Sequence, residues 1–496
     1  MIGFDHVSFS YRAPAAADRA GVENVSLSVG SGEVVVLCGR SGCGKSTLLR
    51  LAGGLAPRFF PGEMLGRALL DGEAVDGLTT WEIARRAGSL FQNPRTQFFN
   101  MDTTGEVAFA LENAGWPEED IRARVEATFE ELGLRSLAGR NIFQLSGGER
   151  QKVAFASIWA MHPTNLLLDE PTSNLDLPST ADMAEFVKHA KESGCAVLIA
   201  EHRLSWLTGI ADSYVFLENG RLRRVMTAGE FAALEAEDVG RMGLRVRDPD
   251  EIVPRAAMAR EVSTVRDAVS KPLLAARGFT LDRGGEPVLR EVDLDLFAGE
   301  VCAIIGSNGA GKTTLCRTLC GFEPRARGTV TIGEAAAARK KRTRVSSMVF
   351  QDVNYQLFAE NVAAEVTFGL PRRRAGAVDT GTVLHELALD DVADRHPATL
   401  SGGQKQRLAV AACVAADKRI LVFDEPTSGI DLDGMHRVAC LLRRLADQGR
   451  AVLVITHDLE LIACACDRVL CMDGGRITEQ ARVADEFGAI REMMGS

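Results

Sequence analysis

Short, unbroken apolar runs recur along this chain. Val34–Cys38, residues 165–168 and Ala196–Ala200 stand in the first half, and residues 300–305, 420–423 and Ala451–Ile455 in the second. Unbroken runs of this length, rather than alternating ones, predict strands buried on both faces, as in a parallel sheet. The first run of each half is followed by a Gly-rich turn and then a helical pattern. Leu48, Leu49 and Leu51 follow Lys45, and residues 312–319 repeat the arrangement. Alternating strands and helices predict an α/β fold whose ligands gather at the carboxyl ends of the strands. Around residues 240–272 the pattern lapses. Asp248-Pro-Asp-Glu251 and Pro254 mark a connector, and Met258, Val262, Val265 and Val269 have the i, i+4, i+7, i+11 spacing of an amphipathic helix packing on its own domain. The expected organisation is two domains, 1–239 and 273–496, joined by a linker over 240–272.

Composition narrows the classes. With 496 residues the chain is too long for one ordinary core. A net charge of −10 argues against nucleic acid as the main partner, because phosphate neutralisation needs a basic surface. No apolar run approaches bilayer length, and residues 1–11 lack a basic region followed by an apolar core. Any membrane role is therefore expected to be peripheral, without direct insertion. Cys38, Cys302, Cys413, Cys440 and Cys471 sit inside apolar runs and are expected to be buried free thiols. The pairs Cys316/Cys320 and Cys464/Cys466 lack the second half of a zinc site.

The chain also repeats itself. Gly39-Arg-Ser-Gly-Cys-Gly-Lys-Ser-Thr47 returns as Gly306-Ser-Asn-Gly-Ala-Gly-Lys-Thr-Thr314. Gln92 returns as Gln351, Leu145-Ser-Gly-Gly148 as Leu400-Ser-Gly-Gly403, Asp169-Glu170 as Asp424-Glu425, and His202 as His457, in the same order. Strand, Gly loop and helix form the context of a phosphate cradle: backbone N–H groups converge on phosphates and the helix dipole adds to the field. Gly39, Ser41, Gly42 and Gly44, like Gly306, Asn308, Gly309 and Gly311, would form the loops. Lys45 and Lys312 would reach the β- and γ-phosphates of ATP, with Thr47 and Thr314 beside them. Ser46 and Thr313 would offer hydroxyls to Mg²⁺, Asp169 and Asp424 would hold it, and Gln92 and Gln351 could bridge it. Glu170 and Glu425 can polarise a water, and His202 and His457 can orient it; phosphoryl transfer needs little beyond positioning and charge stabilisation. Ser146 with Gly148, and Ser401 with Gly403, open a second helix N-terminus suited to another phosphate.

This set resembles the ATP-binding-cassette family across both halves. The resemblance implies two P-loop NTPase domains, each a mostly parallel sheet with an antiparallel β subdomain and a helical signature subdomain. It further implies that each signature closes on the other half's nucleotide, Ser401 on the Lys45 site and Ser146 on the Lys312 site. Asp176 and Asp431 match the segment crossing that interface. Tyr11 matches the family's adenine-stacking aromatic, and an alignment of 277–281 with 7–11 places Leu281 opposite it, so two competent but unequal sites are expected.

The stretches after Gln92 and Gln351 are similar to the paired ATPases of energy-coupling-factor importers of vitamins or metal ions. There the segment is the groove for a transmembrane partner's arginine-bearing helices, and a separate membrane subunit binds substrate. Glu106 and Glu365 are the acidic candidates for that contact. A sugar-importer ATPase, an exporter ATPase and a soluble ribosome-acting tandem cassette protein are the alternatives. Intact catalytic positions in both halves weigh against the first, and a short, mixed-charge linker against the last. The C-terminal stripe Val483, Phe487, Ile490 and Met494 is expected to pack between the halves rather than on lipid.

Overall fold

A computed structural model describes residues 1–12, 21–92, 97–173, 175–255 and 271–495. The stripe Met258, Val262, Val265 and Val269 lies outside the described residues. The chain divides into two compact units, Met1–Asp248 and Pro249–Ser496. Leu244 and Arg245 are buried in the first unit.

The described residues of the first unit form ten strands: β1 (Ile2–Tyr11), β2 (Gly21–Val29), β3 (Val34–Cys38), β4 (Gly62–Leu70), β5 (Glu73–Ala74), β6 (Ala87–Leu90), β7 (Asn165–Asp169), β8 (Ala196–Ala200), β9 (Ser213–Glu218) and β10 (Arg221–Thr227). They form an antiparallel sheet in the order β2-β1-β4-β5 and a six-stranded sheet in the order β10-β9-β3-β8-β7-β6. The larger sheet is parallel except for β10. Its apolar runs are unbroken because each strand feeds two cores at once. Val34, Val36 and Cys38 of β3 enter one hydrophobic cluster, and Val35 and Leu37 enter another. Ala196, Leu198 and Ala200 of β8 split from Val197 and Ile199 in the same way. Helices Thr103–Asn113, Glu118–Glu131 and Gly147–Trp159 form a helical subdomain on the first of these cores, through Val107, Leu111, Phe129, Val153 and Trp159.

The second unit repeats the plan with β11 (Leu274–Arg283), β12 (Glu286–Leu296), β13 (Val301–Ile305), β14 (Arg327–Ile332), β15 (Ala335–Ala336), β16 (Ser346–Val349), β17 (Ile420–Asp424), β18 (Ala451–Ile455), β19 (Arg468–Asp473) and β20 (Arg476–Arg482). Its sheet orders are β12-β11-β14-β15 and β16-β17-β18-β13-β19-β20. The helical subdomain is leaner here: Val362–Thr367, Arg372–Ala375 and Thr380–Glu386 stand where the first unit has two longer helices.

Two expectations fail for local reasons. Cys440 is exposed and Cys471 half-buried, whereas Cys38, Cys302 and Cys413 are buried; Cys440 falls on the outer face of the amphipathic helix Leu432–Asp447. The C-terminal helix Phe487–Met494 packs against β20 of its own unit, burying Ile490 and Met494.

Candidate functional site

The cradles grow out of the central strands. β3 and β13 run into glycines where a side chain would collide with backbone: a Cβ at Gly39 would lie 2.2 Å from the Leu217 carbonyl oxygen, and one at Gly306 2.0 Å from that of Met472. Ser41, Gly42 and Gly44 continue the first loop into the helix Lys45–Ala52; Asn308, Gly309 and Gly311 continue the second into Lys312–Cys320. Lys45 Nζ arches back over its loop, donating to the carbonyl oxygens of Gly39 (2.9 Å) and Arg40 (3.4 Å). Lys312 Nζ does the same at Gly306 (2.6 Å) and Ser307 (2.9 Å).

Opposite the cradles, β7 and β17 deliver paired carboxylates. Ser46 Oγ donates to Asp169 (2.9 Å) and Thr313 Oγ1 to Asp424 (2.8 Å). Burial raises Asp169 above its ordinary range despite that hydrogen bond, and pushes Asp424 up to about 6. Hydroxyl and carboxylate oxygens so placed beside a phosphate loop suit a hard, oxygen-seeking cation such as Mg²⁺. Glu170 and Glu425 follow at φ +46° and +51°, a left-handed backbone that costs non-glycine residues on the order of 1–3 kcal/mol. Neighbouring strands hold that turn: the Glu170 N–H donates to Ala200 O (2.8 Å) and the Glu425 N–H to Ile455 O (2.9 Å). Burial, then the charge of Asp169, raises Glu170 well above the usual carboxylate range. His202 Nε2 lies 3.4 Å from Glu170 Oε1, and His457 Nε2 lies 3.5 Å from Glu425 Oε1. Gln92 Nε2 donates to Glu170 (2.6 Å), whereas Gln351 stands exposed.

The sequence reading missed the carboxylates beside the histidines. Glu201 accepts from the Thr172 hydroxyl and from Trp206 Nε1 (3.2 Å). In the second unit Asp458 accepts from Thr427 (2.7 Å). One carboxylate precedes its histidine and the other follows it, so equal spacing between the halves could not reveal them. Their proximity to His202 and His457 was the available signal.

Four further groups are placed as follows. Ser146 and Ser401 cap the helices Gly147–Trp159 and Gly402–Ala415, with Gly148 and Gly403 in their first turns. Asp176 and Asp431 cap Leu177–Glu192 and Leu432–Asp447. Tyr11 ends β1 with its hydroxyl 3.1 Å from Thr47 Oγ1 and accepting from Arg50 (3.0 Å); Thr314 is likewise buried in the second cradle.

Leu281 requires a correction. Ile2 pairs with Leu70 and Leu274 with Ile332, and the two strands share one burial pattern, so Leu281 matches Phe9 and Arg283 matches Tyr11. Leu281 is 3% exposed, inside the core, while Arg283 pairs with Glu323 (2.7 Å), which also holds Arg317 (3.0 Å).

Glu106 and Glu365 also differ from expectation. They are 3% and 2% exposed, too deeply buried to offer charge to a partner. Instead, Glu106 accepts from the N–H groups of Phe99 (3.0 Å) and Asn100 (2.8 Å), and Glu365 from those of Phe358 (2.7 Å) and Ala359 (2.6 Å). Gln97 and Gln356 staple the other end of each loop, donating to Ser89 O (3.0 Å) and Met348 O (2.8 Å). What each loop exposes is aromatic. Phe99 (72% exposed) stacks on Phe109 at 4.9 Å, and Phe358 (68% exposed) meets Phe368 at 6.2 Å.

The sequence profile described as ABC transporter matches residues 22–173 and 289–428, one stretch in each unit. The chain belongs to the ABC transporter family. Over 480 residues it is 42% identical to a Treponema denticola protein provisionally named an ABC transporter ATP-binding protein, covering 97% of each chain. It is 30% identical to a Bacillus subtilis protein, YkoD, provisionally named for HMP/thiamine import, over 95% of this chain and 90% of that one. Archaeal ABCE1, in a structure with Pelota on the ribosome, superposes with a TM-score of 0.68 over 98% of this chain and 80% of its own at 21% identity, a likeness of fold alone. As an ABC ATPase the chain binds ATP with Mg²⁺ and hydrolyses it.

Two predictions follow from this geometry. The folded Asp424 carboxyl, raised from 3.8 to about 6, keeps a proton that the unfolded chain releases, so it costs stability as pH rises through that window. The penalty is on the order of 3 kcal/mol. Asp424→Asn should therefore raise the melting temperature of the nucleotide-free protein above pH 6 while abolishing Mg²⁺-dependent turnover in the second unit; an unchanged melting profile refutes the assignment. Base stacking is worth roughly 1–3 kcal/mol, so Tyr11→Ala should weaken one class of ATP site by about 5- to 150-fold in calorimetric titration with a non-hydrolysable analogue. Arg283→Tyr should alter the other class, whereas Leu281→Tyr should overpack the core and lower stability by roughly 1–3 kcal/mol.

Proposed function

We propose that the chain is the ATP-hydrolysing subunit of an energy-coupling-factor-type importer. It drives a transmembrane partner by closing an intramolecular nucleotide sandwich in which Ser401 serves the Lys45 site and Ser146 the Lys312 site. A separate membrane subunit would bind the substrate, a vitamin or a transition-metal ion. The observation that carries this reading is the twofold presence of a complete catalytic set joined to an aromatic docking loop. In each unit the lysine, hydroxyl, Asp-Glu pair and histidine sit beside a loop pinned by a buried glutamate. The relative named for HMP/thiamine import supports a vitamin-related cargo. No helix among the described residues is long and apolar enough to cross a membrane, which fits a peripheral subunit on the cytoplasmic face.

In this reading Glu170 and Glu425 accept the proton of the attacking water as it adds to the γ-phosphate. Lys45 and Lys312 neutralise the charge that develops there. Burial serves the base, since a carboxylate raised toward neutrality accepts a proton more readily than an exposed one. Phe99, Phe109, Phe358 and Phe368 seat the partner's coupling helices. A cavity of about 380 Å³ beside Gln92, lined by Leu49, Arg50, Phe60, Phe91 and Asp169, opens next to the first cradle.

Glu170→Gln with Glu425→Gln should retain ATP binding and lose turnover by roughly 10²–10⁴-fold. Phe99→Asp with Phe358→Asp should keep the isolated chain's ATPase rate but lose co-purification with the transmembrane subunit and lose uptake. A double Phe variant that still assembles and transports would place docking elsewhere.

A further inference from the structure

The helix Arg339–Val345 leads from the antiparallel sheet of the second unit into β16. Five of its seven residues are cations, Arg339, Lys340, Lys341, Arg342 and Arg344, in a chain of net charge −10. Arg339, Lys340, Lys341 and Arg344 are exposed, and among the described residues none of these four makes an ion pair. Carboxylates of the same stretch are committed elsewhere: Glu323 to Arg283 and Arg317, Glu334 to Lys271. Gly321 lies against this helix, since a Cβ there would sit 3.1 Å from Arg339 Cγ. The next residue, Phe322, is 39% exposed, and Arg325 follows, also exposed.

Local physics works against this helix. Ala338 supplies no side-chain cap, and the first turn holds three cations at the positive end of the helix dipole. Lys340 and Arg344 repel each other at i,i+4. The first unit shows that the fold does not require such a sequence. There the matching helix, Thr80–Arg86, begins with a Thr79/Glu82 capping box, stacks Arg85 on Trp81 at 4.9 Å, and pairs Arg86 with Glu73 at 3.0 Å. Cations retained on one copy against local stability point to function rather than folding.

We propose that this face of the second unit, with Arg325, Arg339, Lys340, Lys341 and Arg344 around Phe322, adheres to the anionic headgroup surface of a phospholipid bilayer. Each cation near an anionic surface strengthens partition roughly fivefold. The attraction fades beyond a Debye length of about 10 Å at 0.1 M salt. An exposed phenylalanine among cations suits an interfacial contact in which the ring dips to the headgroup/acyl boundary while the cations stay at the headgroups. The rest of the chain is net acidic, which favours contact through this face. A seven-residue helix makes this adhesion and not insertion.

The test uses the purified full chain and sedimentation with vesicles. Binding is expected to equimolar phosphatidylglycerol and phosphatidylcholine, not to phosphatidylcholine alone, and should fall as salt rises. Lys340→Glu with Lys341→Glu and Arg344→Glu should reduce partition by more than tenfold while ATPase activity, the evidence of folding, is kept. Arg85→Glu in the first unit should change nothing. Failure of the wild-type chain to bind anionic vesicles, or equal binding by the triple variant, overturns the proposal. So does a triple variant that keeps vesicle binding but loses the transmembrane subunit in detergent, which would assign the patch to a protein. Vesicle binding needs no transmembrane partner, so its failure leaves the transport reading standing.

Discussion

Two carboxylates side by side at the end of a buried strand set the terms for everything around them. Asp169 and Glu170, and their counterparts Asp424 and Glu425, leave their strands where water is scarce, and burial resists the ionisation of Asp169, Glu170 and Asp424. The surroundings answer that cost from several directions. Hydroxyls of Ser46 and Thr313 donate to the aspartates, lysines arch nearby, and imidazoles stand about 3.5 Å from the glutamates. The glutamates' left-handed backbone is tolerated because a neighbouring strand fixes their N–H groups. A site that concentrates buried negative charge is matched to a ligand that brings a cation with its phosphates. Ligand binding and relief of electrostatic cost are the same event.

The duplication keeps this centre and varies its margins. The carboxylate that accepts from the equivalent threonine, Thr172 or Thr427, comes from Glu201 in one unit and Asp458 in the other. At the strand end beside the cradle, the first unit has a tyrosine bonded to Arg50 and the second an arginine bonded to Glu323. Gln92 touches its glutamate, while Gln351 is exposed. The first copy carries 12 more residues between lysine and signature serine. Five of these fall before the end of β4, three before the end of β6 and four between Glu106 and Ser146, where its helices are longer. None falls between Gln92 and Glu106, the loop that joins chemistry to the aromatic surface.

Much of this was legible in the sequence. Unbroken apolar runs announce strands that feed two cores, and the order of loop, glutamine, signature, Asp-Glu and histidine marks both centres. What escaped depended on contacts that spacing does not encode. Aligning 277–281 with 7–11 is two residues out of register, an error that only the strand pairings of β1 and β11 expose, and it puts Leu281 opposite Tyr11 where Arg283 belongs. Glu106 and Glu365 read as surface charges because nothing in their helices reveals that two backbone N–H groups fold back on each carboxylate. Cys440 read as core because its apolar neighbours sit on the opposite face of one helix. The cations of Arg339–Val345 were visible as a string, but only comparison with the capped Thr80–Arg86 helix shows that the fold does not require them.

The pinned loops explain how a nucleotide centre can be felt at a distance. In the first unit the chain leaves β6, places Gln92 against the catalytic glutamate at 2.6 Å, and re-emerges at Gln97, which is stapled back to Ser89. It then runs to Phe99 and Asn100, whose N–H groups are held by Glu106. Glu106 is therefore structural in a particular sense: its buried charge needs those two donors, so the loop cannot lift without stranding a carboxylate in an apolar setting. A displacement of Phe99 is therefore opposed at Glu106. Both units carry the same length of chain between the glutamine and the pinning glutamate, so the second has the same lever, with Gln351 at its inner end and Phe358 at its outer end. There the glutamine is exposed, whereas Gln92 donates to Glu170, so the two units differ at the inner end of an otherwise equal stretch.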